Sequence, residues 1–112
     1  MKKYFFNKYK YKIVTKEKLK KILNNKLKNQ KSILCHGVFD VVHPGHVRHL
    51  AYAKSKADIL VVSLTADRHI KKGIYRPHVP ENLRALNLAA FEMVDYVIID
   101  DNSTPHNLLR SI

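Results

Sequence analysis

The amino-acid sequence predicts an α/β fold, a Rossmann-like doubly wound parallel sheet with helices on both faces. Three short apolar runs, near residues 32–36, 59–64 and 95–99, predict strands. Helical patterns over residues 44–56 and 81–93 separate these runs. The continuous β-branched run at 59–64 is typical of a parallel strand that is buried on both faces. Strands that alternate with helices predict a parallel sheet with right-handed crossovers.

The distribution of charge divides the chain into two segments. Residues 1–31 hold 12 Lys and one acidic residue, Glu17, and so carry +11 of the net charge of +12. Residues 32–112 hold 9 basic and 8 acidic residues. We therefore predict a basic N-terminal arm and helix over 1–31 and an α/β domain over 32–112. A lysine-rich run is most often a solvated face, and nucleic-acid binding is the alternative that only the charge supports.

The N-terminal segment contains one predicted helix. Thr15 is a suitable N-cap, and leucine and isoleucine residues recur at helical spacing over residues 16–29, which predicts a helix that docks on the domain. Residues 1–14 are basic and aromatic, and their pattern leaves two interpretations open. They form either a packed arm or a short edge strand.

The sequence predicts a cytoplasmic protein that has no membrane-spanning segment. No apolar run approaches the ~20 residues of a membrane span. The N-terminus is too rich in lysine for a signal peptide. The single cysteine, Cys35, lies in a predicted buried strand and cannot form an internal disulfide. We expect Cys35 and the next residue, His36, to be core or strand-end residues.

A histidine-rich stretch, HGVFDVVHPGHVRH at residues 36–49, joins the first predicted strand to the next helix. Pro44 suits the first turn of that helix, because its fixed φ fits and its missing N–H is not needed there. Helix N-termini attract anions. His43 and His46 are three residues apart and can face one point, and Gly45 lets a phosphate approach the backbone. The stretch therefore predicts a phosphate-binding site.

A metal site is the alternative for these histidines. Zinc needs three or four ligands, and only Asp40 and His49 lie close in sequence to the His43 and His46 pair. We therefore favour anion binding and predict no resident metal. Asp40 is a candidate to orient a histidine or to help hold Mg²⁺, and the alternative for it is a turn-forming role.

Further polar candidates follow the second predicted strand. The carboxyl ends of parallel strands meet at one edge of a sheet, where ligands bind in such folds, so the loops after all three strands should converge there. Asp67 is a candidate for binding ribose or substrate hydroxyls. Guanidinium groups suit bidentate contacts with phosphates. The cationic candidates are Lys71, Lys72, Arg76 and Arg84.

Residues 37–40 (Gly-Val-Phe-Asp) and 43–46 (His-Pro-Gly-His) together resemble the signature of the HxGH nucleotidyltransferases, the cytidylyltransferase-like superfamily. Residues 64–73 and 76–97 extend the likeness. The chain resembles most the nucleotidyltransferase domain of bacterial heptose-phosphate adenylyltransferases, in the version fused to a sugar kinase-like domain. Glycerol-3-phosphate cytidylyltransferase is a more distant relative that shares both motifs.

The resemblance implies a reaction in which a substrate phosphate attacks the α-phosphorus of a nucleoside triphosphate and pyrophosphate leaves. Mg²⁺ would bridge the phosphate oxygens. The catalytic residues that the resemblance implies are His43, His46, Lys72 and Arg84. The nucleotide-binding residues that we predict are Gly37, Val38, Phe39, Asp40, Gly45, Lys71, Asp67 and Arg76.

The resemblance also implies a partial domain. Relatives continue with at least one more strand and a late Ser/Thr and basic motif, whereas here a helix expected to open at Thr104 and Pro105 reaches Ile112 first. We expect an ATP- or CTP-dependent enzyme that acts on a sugar phosphate such as heptose 1-phosphate, for surface polysaccharide synthesis. Relatives are often homodimers. The alternatives are a catalytically inactive nucleotide-binding or interaction fragment and a glycerol-3-phosphate cytidylyltransferase-like enzyme.

Overall fold

The structure, a computed structural model, describes residues 7–26, 28–70 and 79–101. Its three strands are parallel and form one sheet in the order of the chain. They are β1 (Ser32–Gly37), β2 (Ile59–Thr65) and β3 (Tyr96–Asp100). The predicted α/β fold with a parallel sheet is therefore confirmed. The helix expected at Thr104 and Pro105 lies outside the described residues, as do Lys71, Lys72 and Arg76.

The helices lie where the sequence pattern predicts them, but each is shorter at its carboxyl end. They are α1 (Lys16–Asn24), α2 (Pro44–Ser55) and α3 (Glu81–Ala89), with a 3₁₀ turn at Asp67–His69. Helix α3 was predicted to continue to residue 93. It ends at Ala89, after which the backbone forms turns: the N–H of Phe91 donates to the C=O of Leu88 at 3.2 Å, and the N–H of Val94 donates to the C=O of Phe91 at 3.2 Å. These turns deliver the chain to β3.

The strand register brings the carboxyl ends of all three strands to one edge. Gly37 at the end of β1 lies opposite Leu64, and Thr65 at the end of β2 lies opposite Asp100 at the end of β3. The loops that follow β1 and β2 therefore leave the sheet side by side. This edge carries the candidate functional residues.

Helices cover both faces of the sheet, as predicted. One face packs against α2 and α3, and its core includes Leu60, Val62 and Val97 from the strands. The opposite face, which includes Val61 and Ile98, packs against α1. Alternate residues of a strand point to opposite faces, so the continuous apolar run in β2 supplies both cores. The predicted docking of the N-terminal helix is confirmed.

The segment before α1 pairs with the outer edge of β3. Ile13 forms a parallel bridge with Val97. The N–H of Val14 donates to the C=O of Val97 at 2.9 Å, and the N–H of Val97 donates to the C=O of Lys12 at 2.8 Å. Residues 7–10, just before this bridge, are helical. The structure therefore supports the edge-strand interpretation for residues 12–14.

Cys35 is buried, as predicted, and burial raises the pKa of its thiol. Among the described residues, no helix is long and apolar enough to cross a membrane.

Candidate anion-binding site at the N-terminus of helix α2

Two imidazole rings cap the N-terminus of α2. His43 is the N-cap residue, with an extended backbone (φ −130°, ψ 172°). The N–H of Gly45 donates to Nδ1 of His43 at 3.0 Å. The N–H of His43 donates to Nδ1 of His46 at 3.2 Å. Both contacts resemble the reciprocal side-chain and backbone bonds of a capping box, with histidines in place of the usual Ser/Thr and Glu.

These hydrogen bonds fix the tautomers of both rings. A backbone N–H can only donate, so Nδ1 of each ring must carry a lone pair and a neutral ring carries its proton on Nε2. The ring centroids of His43 and His46 are 4.0 Å apart, and the ring planes are inclined by 38°. Each Nδ1 faces the helix end, so each Nε2–H is turned away from it. The pair therefore offers two neighbouring N–H donors to an anion.

The backbone of the first turn contributes less than the sequence predicted. Pro44 has no N–H, and the N–H of Gly45 is taken by His43. The N–H of His46 donates to the C=O of His43 at 2.9 Å. The imidazoles, together with the positive end of the helix dipole, are therefore the anion-attracting groups.

The imidazole ring of His43 leaves no room for a side chain at residue 45, which accounts for the glycine there. A Cβ at this position would lie 2.7 Å from Cε1 of His43, closer than real Cβ contacts. A side chain at residue 45 would therefore displace the ring from its capping position. The close approach of a phosphate to Gly45, which the sequence suggested, stays a prediction.

The loop that precedes α2 places an aromatic ring against the imidazoles. Phe39 has φ 51°, in the left-handed region, and its side chain is buried. Its ring centroid lies 5.4 Å from that of His46. A Cβ on Gly37 would lie 2.9 Å from the Phe39 ring, so glycine is needed two residues before this phenylalanine. The predicted backbone contacts of Gly37, Val38 and Phe39 with a nucleotide stay predictions.

The Arg84 side chain forms an extensive set of hydrogen bonds within the protein. Its side chain is fully buried. Its Nε donates to the C=O of Val79 at 2.9 Å, and its Nη1 donates to the C=O groups of Val38 at 2.7 Å and Thr65 at 2.8 Å. Its Nη2 donates to Oδ1 of Asp67 at 2.5 Å. Four of the five N–H groups of a guanidinium are therefore held by the protein, and contact with a phosphate stays a prediction.

Asp67 is also engaged within the protein. Besides accepting from Arg84, it accepts from the N–H of Glu81 through Oδ2 at 3.2 Å. The N–H of Asp67 in turn donates to Oε1 of Glu81 at 2.9 Å. These bonds join the loop after β2 to the start of α3. The role of Asp67 in binding hydroxyl groups stays a prediction.

Asp40 lies beside a cleft next to the imidazoles. Its side chain is buried, and its Oδ1 accepts from the N–H of Val79 at 2.9 Å. The cleft has a volume of about 700 Å³, which lies in the usual range of small-molecule sites. His43, Arg48 and Asn87 are among the polar residues that line it. In the described ranges, no group of three or more His, Cys, Asp or Glu side chains is arranged to hold a metal.

His36, for which the sequence predicts a core or strand-end position and no functional role, is the penultimate residue of β1 and lies at the polar edge of the sheet. Its Nδ1 lies 2.8 Å from Oγ of Ser63, and its Nε2 lies 3.3 Å from Oγ1 of Thr65. Burial lowers the pKa of His36, and the Asp100 carboxylate acts in the opposite direction. The sequence indicates this position, because His36 immediately precedes Gly37, the glycine at the end of the first predicted strand.

The stability of the protein should fall as the pH drops below about 6.5, the ordinary pKa of histidine. Burial lowers the pKa of His46 in the folded state, and the nearby His43 and His49 lower it further. Over the interval between the two pKa values the unfolded chain binds more protons than the folded chain, so the free energy of unfolding decreases with falling pH. Urea unfolding at pH 7.5, 6.5, 5.5 and 4.5 measures this loss.

The control for this measurement is the His46→Asn variant, which removes the titrating ring but keeps an acceptor for the N–H of His43. Its free energy of unfolding should depend less on pH than that of the wild type. An equally steep dependence in both proteins would contradict the assignment of the effect to His46.

Comparison with known proteins identifies the family. The profile of the cytidylyltransferase-like family matches residues 34–112, and the chain belongs to this family. The resemblance of the chain to the cytidylyltransferase-like superfamily is therefore confirmed. The matched residues include the β1–α2 loop, both histidines at the N-terminus of α2, and all of helices α2 and α3.

Similar proteins include several that are named bifunctional protein HldE and are much longer than this chain. The chain is 41% identical over 106 residues to the bifunctional protein HldE of Campylobacter concisus, covering 93% of this chain and 22% of that protein. It is 42% identical over 103 residues to the bifunctional protein HldE of Helicobacter pylori, covering 90% of this chain and 22% of that protein. The chain therefore spans about a fifth of the length of these relatives.

A solved structure supports the fold. The lipopolysaccharide core biosynthesis protein from Thermoplasma volcanium superposes on this chain with a TM-score of 0.63 at 26% sequence identity. The superposition covers 74% of this chain and 69% of that one. The described strands and helices therefore share the fold of this solved structure.

Proposed function

We propose that this chain carries a nucleotidyltransferase domain that binds a nucleoside triphosphate and transfers a nucleotidyl group to a sugar phosphate. The observation that carries the proposal is the pair of imidazoles that cap the N-terminus of α2. Each ring accepts a backbone N–H at Nδ1 and therefore offers an Nε2–H donor. Two such donors beside a positive helix end suit the oxygens of a triphosphate.

In the proposed reaction an oxygen of the sugar phosphate forms a bond to the α-phosphorus of the triphosphate. The bond from that phosphorus to the bridging oxygen breaks, and pyrophosphate leaves with the electron pair. The Nε2–H groups of His43 and His46 stabilise the charge that develops on the phosphate oxygens, without a proton transfer. The protein contributes positioning and electrostatic stabilisation, and no covalent enzyme intermediate is required.

The nucleotide substrate is a magnesium complex. Mg²⁺ in such sites is bound largely by the substrate phosphates and by water, with one or two protein carboxylates. Asp40, whose Oδ1 accepts from the N–H of Val79 beside the imidazoles, is the protein carboxylate that we propose for this role. We further propose that Lys71, Lys72 and Arg76 neutralise the remaining phosphate charge.

The acceptor that we propose is a sugar 1-phosphate of the heptose type. The resemblance to heptose-phosphate adenylyltransferases implies this choice, and the similar solved structure of a lipopolysaccharide core biosynthesis protein is consistent with it. The HldE relatives are bifunctional, and this chain matches about a fifth of their length. We therefore propose that the transferase activity acts together with a sugar kinase-like domain.

Calorimetric titration with Mg²⁺ and ATP, CTP or GTP tests the proposal. The wild-type chain should bind one of the three triphosphates, and the His46→Ala variant should lose that binding. The matched control is His49→Ala, which removes an exposed histidine one turn further along the same helix and should bind like the wild type. A folded wild-type chain that binds no triphosphate would contradict the proposal.

Pyrophosphate release then identifies the acceptor. Heptose 1-phosphate should support turnover with the triphosphate that binds, and glycerol 3-phosphate should support much less. The reverse preference would favour a glycerol-3-phosphate cytidylyltransferase-like enzyme. Nucleotide binding without turnover on either acceptor would favour a catalytically inactive nucleotide-binding module.

A further inference from the structure

We infer that Arg84 is a positioning residue that holds the two imidazoles in their anion-binding arrangement and does not itself contact the phosphates. The inference rests on the proposed function, because it assigns Arg84 a part in assembling that site. It differs from the role that the family resemblance implies, which is direct contact with substrate phosphates.

The first observation is where the guanidinium donates. Arg84 is fully buried, and its hydrogen bonds reach carbonyls in three separate segments. Val38 belongs to the loop after β1, Thr65 ends β2, and Val79 precedes α3. The Asp67 carboxylate accepts from the same guanidinium and balances its charge. A buried cation with this set of partners joins the segments that form the polar edge of the sheet.

The second observation is the path from Arg84 to the imidazoles. The C=O of Val38 accepts from Nη1 of Arg84 at 2.7 Å, and Phe39 follows with φ 51°. This left-handed conformation is unfavourable for phenylalanine and persists only where the surroundings hold it. The Phe39 ring packs 5.4 Å from the ring of His46. Loss of this hydrogen bond to the C=O of Val38 therefore lets Phe39 leave its left-handed conformation, and its ring then moves away from His46.

The third observation is that the two imidazoles are themselves linked. Nδ1 of His46 accepts from the N–H of His43, whose ring lies 4.0 Å away. A displacement of His46 by Phe39 therefore also removes a constraint on His43. The contacts form one continuous series from the guanidinium of Arg84 to both Nε2–H donors.

The experiment is ¹⁵N NMR of the histidine side chains in the ligand-free chain, for the wild type and Arg84→Lys. A lysine keeps the charge but has three donors on one nitrogen, so it cannot reach carbonyls in three segments together with Asp67. In the wild type, His43 and His46 should show the signals of the Nε2–H tautomer. In Arg84→Lys these signals should move towards an average of both tautomers, and the affinity for the triphosphate should fall about 10- to 100-fold.

The matched control is Arg68→Lys, which alters an exposed arginine that pairs with Asp101. It should leave the His43 and His46 signals unchanged. Asp67→Asn provides a second variant, in case Arg84→Lys does not fold. This variant keeps the arginine but weakens the hydrogen bond from Nη2 of Arg84 to residue 67. The imidazole signals should therefore move in the same direction by a smaller amount.

Two results would overturn the inference. One is a ligand-free Arg84→Lys protein whose imidazole signals match the wild type although its nucleotide affinity is reduced, because that result assigns Arg84 to direct contact. The other is a set of unchanged signals in both Arg84→Lys and Asp67→Asn. Displaced imidazole signals in a chain whose wild type binds no triphosphate would support the positioning role and reject the proposed function.

Discussion

Replacement of His43 or His46 by asparagine should lower the rate of nucleotidyl transfer about 10²- to 10³-fold, the usual cost of one lost transition-state hydrogen-bond donor. The Oδ1 of asparagine can accept a backbone N–H where Nδ1 of the imidazole now accepts one. Asparagine has no group at the position of Nε2, so the donor to the phosphates is removed. The substitution therefore separates the capping function of each histidine from its proposed catalytic function.

Alanine at the same positions provides the comparison. His43→Ala removes both the N-cap acceptor and the phosphate donor, so it should also lower the free energy of unfolding by about 0.5–2 kcal/mol. His43→Asn should remain close to the wild type in stability, because asparagine is among the best N-cap residues. Pyrophosphate release and urea unfolding measure the two effects independently.

A different result would remove the proposed role. If His43→Asn and His46→Asn turn over substrate at the wild-type rate, the imidazoles are only helix caps. If the asparagine variants are as unstable as the alanine variant, the hydrogen bonds that Nδ1 accepts do not contribute measurably to the free energy of unfolding.

The position of the imidazole pair was predictable from the sequence, but the state of the rings was not. Pro44 marks the first helical turn, and the spacing of His43 and His46 places both rings at that turn. Which ring nitrogen faces the backbone depends on the capping geometry, which a sequence pattern does not contain. In the same capping geometry Nδ1 of His43 accepts the N–H of Gly45, which the sequence alone would assign to a phosphate.

Arg84 shows where a general expectation about charge is misleading. Arginine is mostly exposed in proteins, so the sequence favoured a surface or a ligand contact for this residue. The spacing contained a contrary signal, because the apolar Leu88 lies four residues later and therefore shares a helical face with Arg84. In the structure both side chains are fully buried. The acceptors of its guanidinium come from three other segments, and only the tertiary structure brings them together.

The second large effect concerns the N-terminal helix. Leu19→Ala should lower the free energy of unfolding by about 2–5 kcal/mol, the range for leucine truncation in a well-packed core. Leu19 is completely buried, and its cluster includes Val61 of β2 and Ile98 of β3. Urea unfolding followed by circular dichroism gives the free energy. Lys20→Ala, at the exposed neighbouring position, is the matched control and should change it by less than about 0.5 kcal/mol.

This prediction tests whether residues 1–31 fold together with the rest of the chain. The charge pattern placed a boundary at residue 31, yet Leu19 and Leu23 share a core with the strands on the other side of that boundary. A large loss of stability in one cooperative transition would mean that α1 is an integral layer of the α/β domain, and that its lysines coat the outer surface of that layer. A change below about 0.5 kcal/mol would mean that α1 adds little to the fold and that the sheet is stable without it.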